Sequence, residues 1–274
     1  MGRIARGWKL TKLSLGVLRK DKEILLLPLM SAIITGLLMV AFIGGAVFSI
    51  GLTPEAIEGG YYGLIAAFIA FYIMAYFVSI FFNAAVIGCA TIRLNGGDPT
   101  VRDGLKIAMD NIGRIFLWAL FAATVGLVIN AIQQRVGIIG KLILGGIGVA
   151  WTVVTYFVVP VLIYEGLGPW AAVKRSAGVF KNTWGETMVG GLGLGVVFVL
   201  LGLVGIAFII VGGLGAGMVG MFVGLAAAVI YWIILGLVAS AAQSILVAAL
   251  YRYATTGKMA ADLAGIRYKY PWAT

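Results

Sequence analysis

The chain has 274 residues, of which 62% are hydrophobic and only 11% charged, with 40 glycines besides. A soluble domain carries about 25% charged residues, so this chain has too little polar surface for a water-exposed globule, and a bilayer is the expected solvent. The same composition excludes disordered, collagenous and disulfide-scaffold classes. The absence of histidine excludes His-based general bases, metal centres and triads, and a single cysteine excludes an intrachain disulfide or thiolate cage.

The chain opens on a basic amphipathic stretch. On a helical wheel Lys9, Lys12, Gly16, Arg19 and Lys20 form a polar stripe. Ile4, Trp8, Leu15 and Leu18 lie beside it, and Leu10, Leu13 and Val17 complete an apolar arc. Such a helix lies in the headgroup layer, with Trp8 at the boundary and Lys12 and Arg19 reaching phosphates. Two readings follow, selective binding of anionic lipid and plain anchoring of topology. Basic flanks anchor most inner-membrane spans, which favours the second. A cleaved signal peptide does not fit, because the charged region is too long and the apolar core about twice the usual length.

Crossing a hydrocarbon core of about 30 Å takes roughly 20 apolar residues in a helix. The runs 24–50, 63–89, 115–132, 138–164, 188–210 and 218–250 meet this length and predict six transmembrane helices. Strict two-residue alternation is absent, which argues against an outer-membrane barrel. Of the 20 Lys and Arg, 18 fall in the N-terminal segment, the second loop (Arg93, Arg102, Lys106, Arg114), the fourth loop (Lys174, Arg175, Lys181) and the tail (Arg252, Lys258, Arg267, Lys269). Only Arg135 and Lys141 fall in the third loop, and the first is acidic through Glu55 and Glu58. The positive-inside rule then puts both termini in the cytoplasm, with the chain in the cytoplasmic membrane. The net charge of +10 records orientation and does not call for a nucleic-acid partner.

The basic segments repeat. Trp8, Lys12, Ser14, Gly16, Val17, Leu18 and Arg19 match Trp170, Lys174, Ser176, Gly178, Val179, Phe180 and Lys181 at a constant offset of 162, without a gap. The second loop, 101–114, holds a weaker version containing Lys106. The reading is three units, 1–89, 99–164 and 169–250, followed by a tail at 251–274. Each unit is an interfacial helix followed by a helical hairpin. The fold class is all-α, a polytopic membrane bundle of six helices in three hairpins. Trp170, Lys174 and Lys181 are expected at headgroups, as Trp8, Lys12 and Arg19 are.

Chemistry is sparse. The carboxylates fall in loops or at span ends, so none sits where a proton pump or voltage sensor needs one. Asn83, Asn130, Gln133, Gln134, Ser240, Gln243 and Ser244 lie toward helix ends. They read as cross-helix hydrogen-bonding groups, or, less simply, as the lining of a narrow polar path. Cys89 reads as a small hydrophobe. Gly215, Gly217 and Gly220 satisfy G-x-G-x-x-G but lack the strand and acidic partner of a dinucleotide site, and Gly140-Lys141 lacks the rest of a P-loop. Gly191 with Gly195, and Gly220 with Gly224 and Ala228, stand at the four-residue spacing of close helix packing, within the chain or between subunits. Pro160 cannot donate to the Tyr156 carbonyl, which predicts a kink. Pro28 reads as a helix-end proline.

The run Arg6-Gly-Trp-Lys-Leu-Thr-Lys-Leu-Ser14, continuing through Arg19-Lys-Asp-Lys-Glu-Ile-Leu-Leu-Leu-Pro28, resembles an uncharacterised family of prokaryotic multi-pass membrane proteins. Tyr251-Arg-Tyr-Ala-Thr-Thr-Gly257 resembles that family's closing motif. The resemblance covers most of the chain and implies a six-span cytoplasmic-membrane protein with no known activity. The tail from Met259 to Thr274 departs from the family pattern. Residues 160–176, with Pro160, Glu165, Gly166 and Lys174-Arg175-Ser176, are locally similar to the membrane domain of glycerophosphoryl diester phosphodiesterases. Catalysis in those proteins belongs to a separate soluble domain, so no catalytic residue carries over.

The functional expectation is an integral membrane protein without enzymatic activity or cofactor. It would pack, organise or shape lipid as a homo-oligomer, with membrane lipids, anionic ones included, as partners and no nucleic acid. The alternative is a transporter or channel subunit for a small solute or lipid. An intramembrane enzyme ranks last.

Overall fold

A computed structural model describes residues 2–50 and 55–257. The tail, with Lys258, Met259, Arg267, Lys269 and Thr274, lies outside the described residues, as do the side chains of Arg3, Ile4, Glu55 and Glu58. The elements are α1 (Arg3–Lys20), a short 3-10 turn (Lys22–Leu25), α2 (Leu26–Ile50), α3 (Glu55–Leu94), α4 (Val101–Asp110), α5 (Ile112–Gln133), α6 (Ile138–Thr155), α7 (Val158–Tyr164) and α8 (Pro169–Thr256). No strand occurs among the described residues. Five helical stretches are long and apolar enough to cross a membrane: Lys22–Phe48, Tyr62–Leu94, Ile112–Gln133, Gly140–Tyr164 and Pro169–Thr256.

The last of these differs from the sequence expectation. Runs 188–210 and 218–250, with the basic segment before them, are joined in one helical element of 88 residues. A straight helix of that length would measure about 130 Å. The backbone instead leaves helical geometry at Thr183 (φ −123°, ψ 17°), at Ala216 (φ −140°, ψ 25°) and at Gly217 (φ 59°, ψ −138°). Positive φ at Gly217 is the conformation that a Cβ disfavours. Beyond it, 218–256 runs back along 184–215. The Tyr231 hydroxyl donates to the Leu201 carbonyl at 2.7 Å, and the Trp232 indole donates to the Gly202 carbonyl at 2.9 Å. Close to the turn the two arms nearly touch, since a Cβ added at Gly224 would stand 2.3 Å from the Phe208 carbonyl oxygen.

Two further breaks resemble the one at Thr183. Between α1 and the 3-10 turn, Asp21 has φ −115° and ψ 70°. Between α4 and α5, Asn111 has φ −113° and ψ 13°. Asp21 and Thr183 stand 162 residues apart, the offset of the sequence repeat. Each break follows a helix that carries Lys or Arg and precedes a long apolar one.

The kink at Pro160 is present and locally compensated. The α6 helix ends at Thr155, and α7 starts after Phe157 (φ −105°, ψ 13°). The Phe157 N–H donates to the Ser176 hydroxyl at 2.9 Å, so a buried donor freed by the break keeps a partner.

The buried core gathers at one end of the molecule. It takes residues 84–90 of α3, Val158, Val161, Leu162 and Ile163 of α7, and 241–251 of α8. Ala119 and Ala122 of α5 and Leu10, Val17 and Leu18 of α1 close it. Away from this end the long helices expose large apolar side chains, among them Val40, Phe48, Tyr62, Leu142, Val211 and Leu214. Water would disfavour such a surface, whereas hydrocarbon accepts it.

Candidate functional site

Each basic helix has a buried and an exposed face. On α1 the buried residues are Gly7, Leu10, Thr11, Ser14, Val17 and Leu18. This departs from the expected apolar arc, since Leu13 is only half-buried and two hydroxyl residues take core positions. The reason is close approach to α8. A Cβ at Gly7 would meet the Val189 side chain at 2.8 Å. At that separation the Thr11 hydroxyl lies 3.2 Å from both the Gly7 and Gly190 carbonyl oxygens, and Ser14 donates to the Thr11 carbonyl at 2.9 Å. The α1 helix is therefore mounted on α8.

The outer face carries the residues that the sequence singles out. Trp8 is 45% exposed, Lys12 and Arg19 are exposed, and the Lys12 ammonium lies 5.9 Å from the Trp8 ring centre. In residues 169–182 the same arrangement recurs. Trp170 is 60% exposed, Lys174 and Lys181 are exposed, and the Lys174 ammonium lies 5.5 Å from the Trp170 ring. Buried positions match too, with Leu10, Ser14, Val17 and Leu18 answering to Ala172, Ser176, Val179 and Phe180. Cation–π contact at exposed sites is worth only about 0.5–1 kcal/mol, so it orients these side chains more than it stabilises the fold.

Each tryptophan is seated on a long helix of another repeat. Trp8 packs where Gly193 leaves room, a Cβ there standing 3.2 Å from the ring. Trp170 meets Phe121 edge-on at 6.4 Å, in a cluster with Trp118 and Trp151. Gly193 and Phe121 each fall ten residues after a backbone break, at Thr183 and Asn111.

Ion pairs brace the same end. Arg6 donates to Glu186 Oε1 from Nη2 at 2.7 Å and from Nε at 2.9 Å, and Glu186 is buried. That pairing raises the Arg6 pKa above its ordinary value. Arg93 bridges Asp21 and Asp98. Glu165 accepts from Arg175 Nε and from the Tyr251 hydroxyl, each at 2.8 Å. Asp103 forms a capping box with Thr100 at the start of α4, and the Thr100 hydroxyl and N–H hold its carboxyl below the usual range.

The glycines divide. Gly220 and Gly224 lie against the opposite arm of α8, where a Cβ would stand 2.0 Å from the Gly212 oxygen and 2.3 Å from the Phe208 oxygen. A Cβ at Gly191 or Gly195 meets nothing within 4 Å. Asn83 donates to Ser244 at 2.8 Å and Gln243 to the Tyr156 hydroxyl at 3.0 Å, both across helices. Gln134 bonds Asn130 on its own helix. Cys89 is fully buried. Sequence reading missed Thr11, Glu186 and the Ser176–Phe157 bond. A lone glutamate beside a long apolar run, 162 residues from Ile24, was the available signal for Glu186.

Two cavities adjoin this end. One of about 290 Å³ is lined by Asp110, Asn111, Arg114, Tyr164, Glu165 and Gly166. The other, of about 330 Å³, lies between α2, α3 and the last arm of α8 and presents Ser31, Thr35, Ser79, Asn83, Ser240 and Ser244.

The chain is thus an all-helical protein with several helices apolar and long enough for a multi-pass membrane protein. Residues 62–261 match the model of a family of unknown function, DUF6159, and the chain belongs to that family. No curated protein and no solved structure matches it.

Proposed function

We propose that the protein crosses the cytoplasmic membrane six times in three hairpins, with both termini in the cytoplasm. In this reading it gathers and organises lipid as a homo-oligomer and has no enzymatic activity. The observation that carries this is the recurrence, at two sites 162 residues apart, of an exposed Trp–Lys pair on a helix whose other face is locked into the fold. Tryptophan favours the headgroup level and lysine the phosphate. A mounted pair holds both at a fixed height and orientation. The turn at Gly217 supports six crossings, since the two arms of α8 are each long enough to span. The apolar flanks and the open faces of Gly191 and Gly195 leave surface for lipid or a second copy.

The test is native mass spectrometry of full-length protein released from bilayers of phosphatidylglycerol mixed with phosphatidylcholine. Retained phosphatidylglycerol that falls when Lys12, Arg19, Lys174 and Lys181 are replaced by Gln supports the reading. Equal retention of both lipids, or no change on replacement, contradicts it. One observation favours a second reading as transporter or channel subunit, namely the uncharged polar cavity between α2, α3 and α8.

A further inference from the structure

We propose that this 330 Å³ cavity is a binding site for the uncharged, hydroxyl-bearing head of a membrane-dissolved lipid of the diacylglycerol type. Its wall combines hydroxyls from three helices, Ser31 and Thr35 on α2, Ser79 on α3, and Ser240 and Ser244 on α8, with the amide of Asn83. The remaining lining is apolar and includes Pro28, Phe82, Val86 and Leu237, and no charged side chain takes part. Small-molecule sites have this make-up, an apolar wall with a few convergent polar groups. The volume lies at the small end of that range, enough for a head but not for acyl chains.

Depth argues for a ligand from the lipid phase. Along α3, Asn83 and Ser79 precede Arg93 by ten and fourteen residues, or ~15 and ~21 Å of helix rise. With the Arg93–Asp21 pair at the interface, that places the cavity well inside a hydrocarbon core about 30 Å thick, deeper than the helix-end position that the sequence suggests for Asn83, Ser240 and Ser244. Ser79 and Ser240 are exposed at its rim, and the neighbouring Leu29 and Ile33 are exposed apolar residues, so the mouth opens sideways toward acyl chains. Charge is strongly disfavoured at that depth, whereas hydroxyl and ester groups need only hydrogen bonds. Asn83 and Ser244 already bond each other and are held in place. Ser31, Thr35, Ser79 and Ser240 supply rotatable donors and acceptors for the head.

The experiment uses full-length protein in phosphatidylcholine nanodiscs with a diacylglycerol carrying a photoactivatable diazirine near its glycerol. Crosslinks are expected on 79–83 and 240–244 and should be competed by unlabelled diacylglycerol. Ser79→Leu and Ser240→Leu, which fill the rim, should each lower labelling by about tenfold, and Ser31→Ala with Ser79→Ala should lower it several-fold without altering volume. Melting temperature reports whether each variant is folded, and the alanine pair decides the outcome if the leucines unfold. Labelling spread evenly over the apolar helices, or unchanged in folded variants, overturns the proposal. Equal competition by phosphatidylglycerol overturns the uncharged-head assignment, and equal competition by free glycerol overturns the lipid-phase source. Lys12→Gln and Lys174→Gln should leave labelling intact, which separates this site from the two Trp–Lys pairs.

Discussion

Arg6 and Glu186 lie 180 residues apart and close the first basic helix onto the last apolar one, through two hydrogen bonds from one guanidinium to one carboxylate oxygen. The Glu186 side chain is 3% exposed and Arg6 is 26% exposed. Removing the arginine therefore strands a buried carboxylate, which costs more than the pair itself contributes. Arg6→Ala is expected to lower the melting temperature in detergent more than Glu186→Gln does. The double variant should recover part of the Arg6→Ala loss. Additive losses would contradict the pairing.

The glycines should separate by position. Gly224→Val drives a side chain into the Phe208 backbone. It is expected to cost about 1–3 kcal/mol or to open the arms of α8. Gly195→Ala, which meets nothing within 4 Å, should be neutral or stabilising by up to about 1 kcal/mol in the monomeric detergent form, since alanine is the better helix former. Thermal unfolding of both checks this, and equal effects would contradict it.

Ser176→Ala removes the acceptor for the buried Phe157 N–H. A stranded buried donor costs about 1–3 kcal/mol. Amide hydrogen exchange should quicken around 155–161 before the rest of the core. Uniform exchange would show that the kink at Pro160 does not depend on Ser176.

The capping box at α4 gives a pH dependence with a definite sign. Asp103 has its pKa lowered in the folded chain, mainly by the Thr100 hydroxyl and then by the Thr100 N–H. Its contribution is therefore present above the ordinary carboxylate pKa of about 4 and lost as pH falls through the lower folded value. Asp103→Asn should flatten that part of the stability profile, and Thr100→Ala should remove about 1 kcal/mol of capping. A profile unchanged in Asp103→Asn would contradict the assignment.

Much of this was legible in the sequence, for identifiable reasons. Apolar runs reveal long helices because hydrocarbon length sets their size. The Pro160 kink follows from a missing N–H. The pairing of Trp8 with Lys12 and of Trp170 with Lys174 follows from i, i+4 helix geometry. What stayed hidden depends on tertiary approach. Thr11 and Ser14 read as polar yet are buried, because Gly7 lets α1 approach α8 closely; the Thr11 hydroxyl then reaches the Gly190 carbonyl, while Ser14 bonds the Thr11 carbonyl of its own helix. Gly191 and Gly220 share a spacing pattern with their partners, but only Gly220 faces another helix. Spacing alone does not say what lies opposite. The cavity polar groups come from three helices far apart in sequence, and no local pattern brings Ser31, Ser79 and Ser240 together.

The most direct test of six crossings with both basic helices on one face is sided labelling of single cysteines. Cys89 is fully buried and should give little background. Lys12→Cys, Lys174→Cys and Leu214→Cys, the last at an 85% exposed position beside the Gly217 turn, are treated with a membrane-impermeant thiol reagent. The expected result is that positions 12 and 174 react only in inside-out vesicles and position 214 only in right-side-out ones. Labelling of 12 and 174 from opposite sides, or of 214 from the same side as 12, would contradict it.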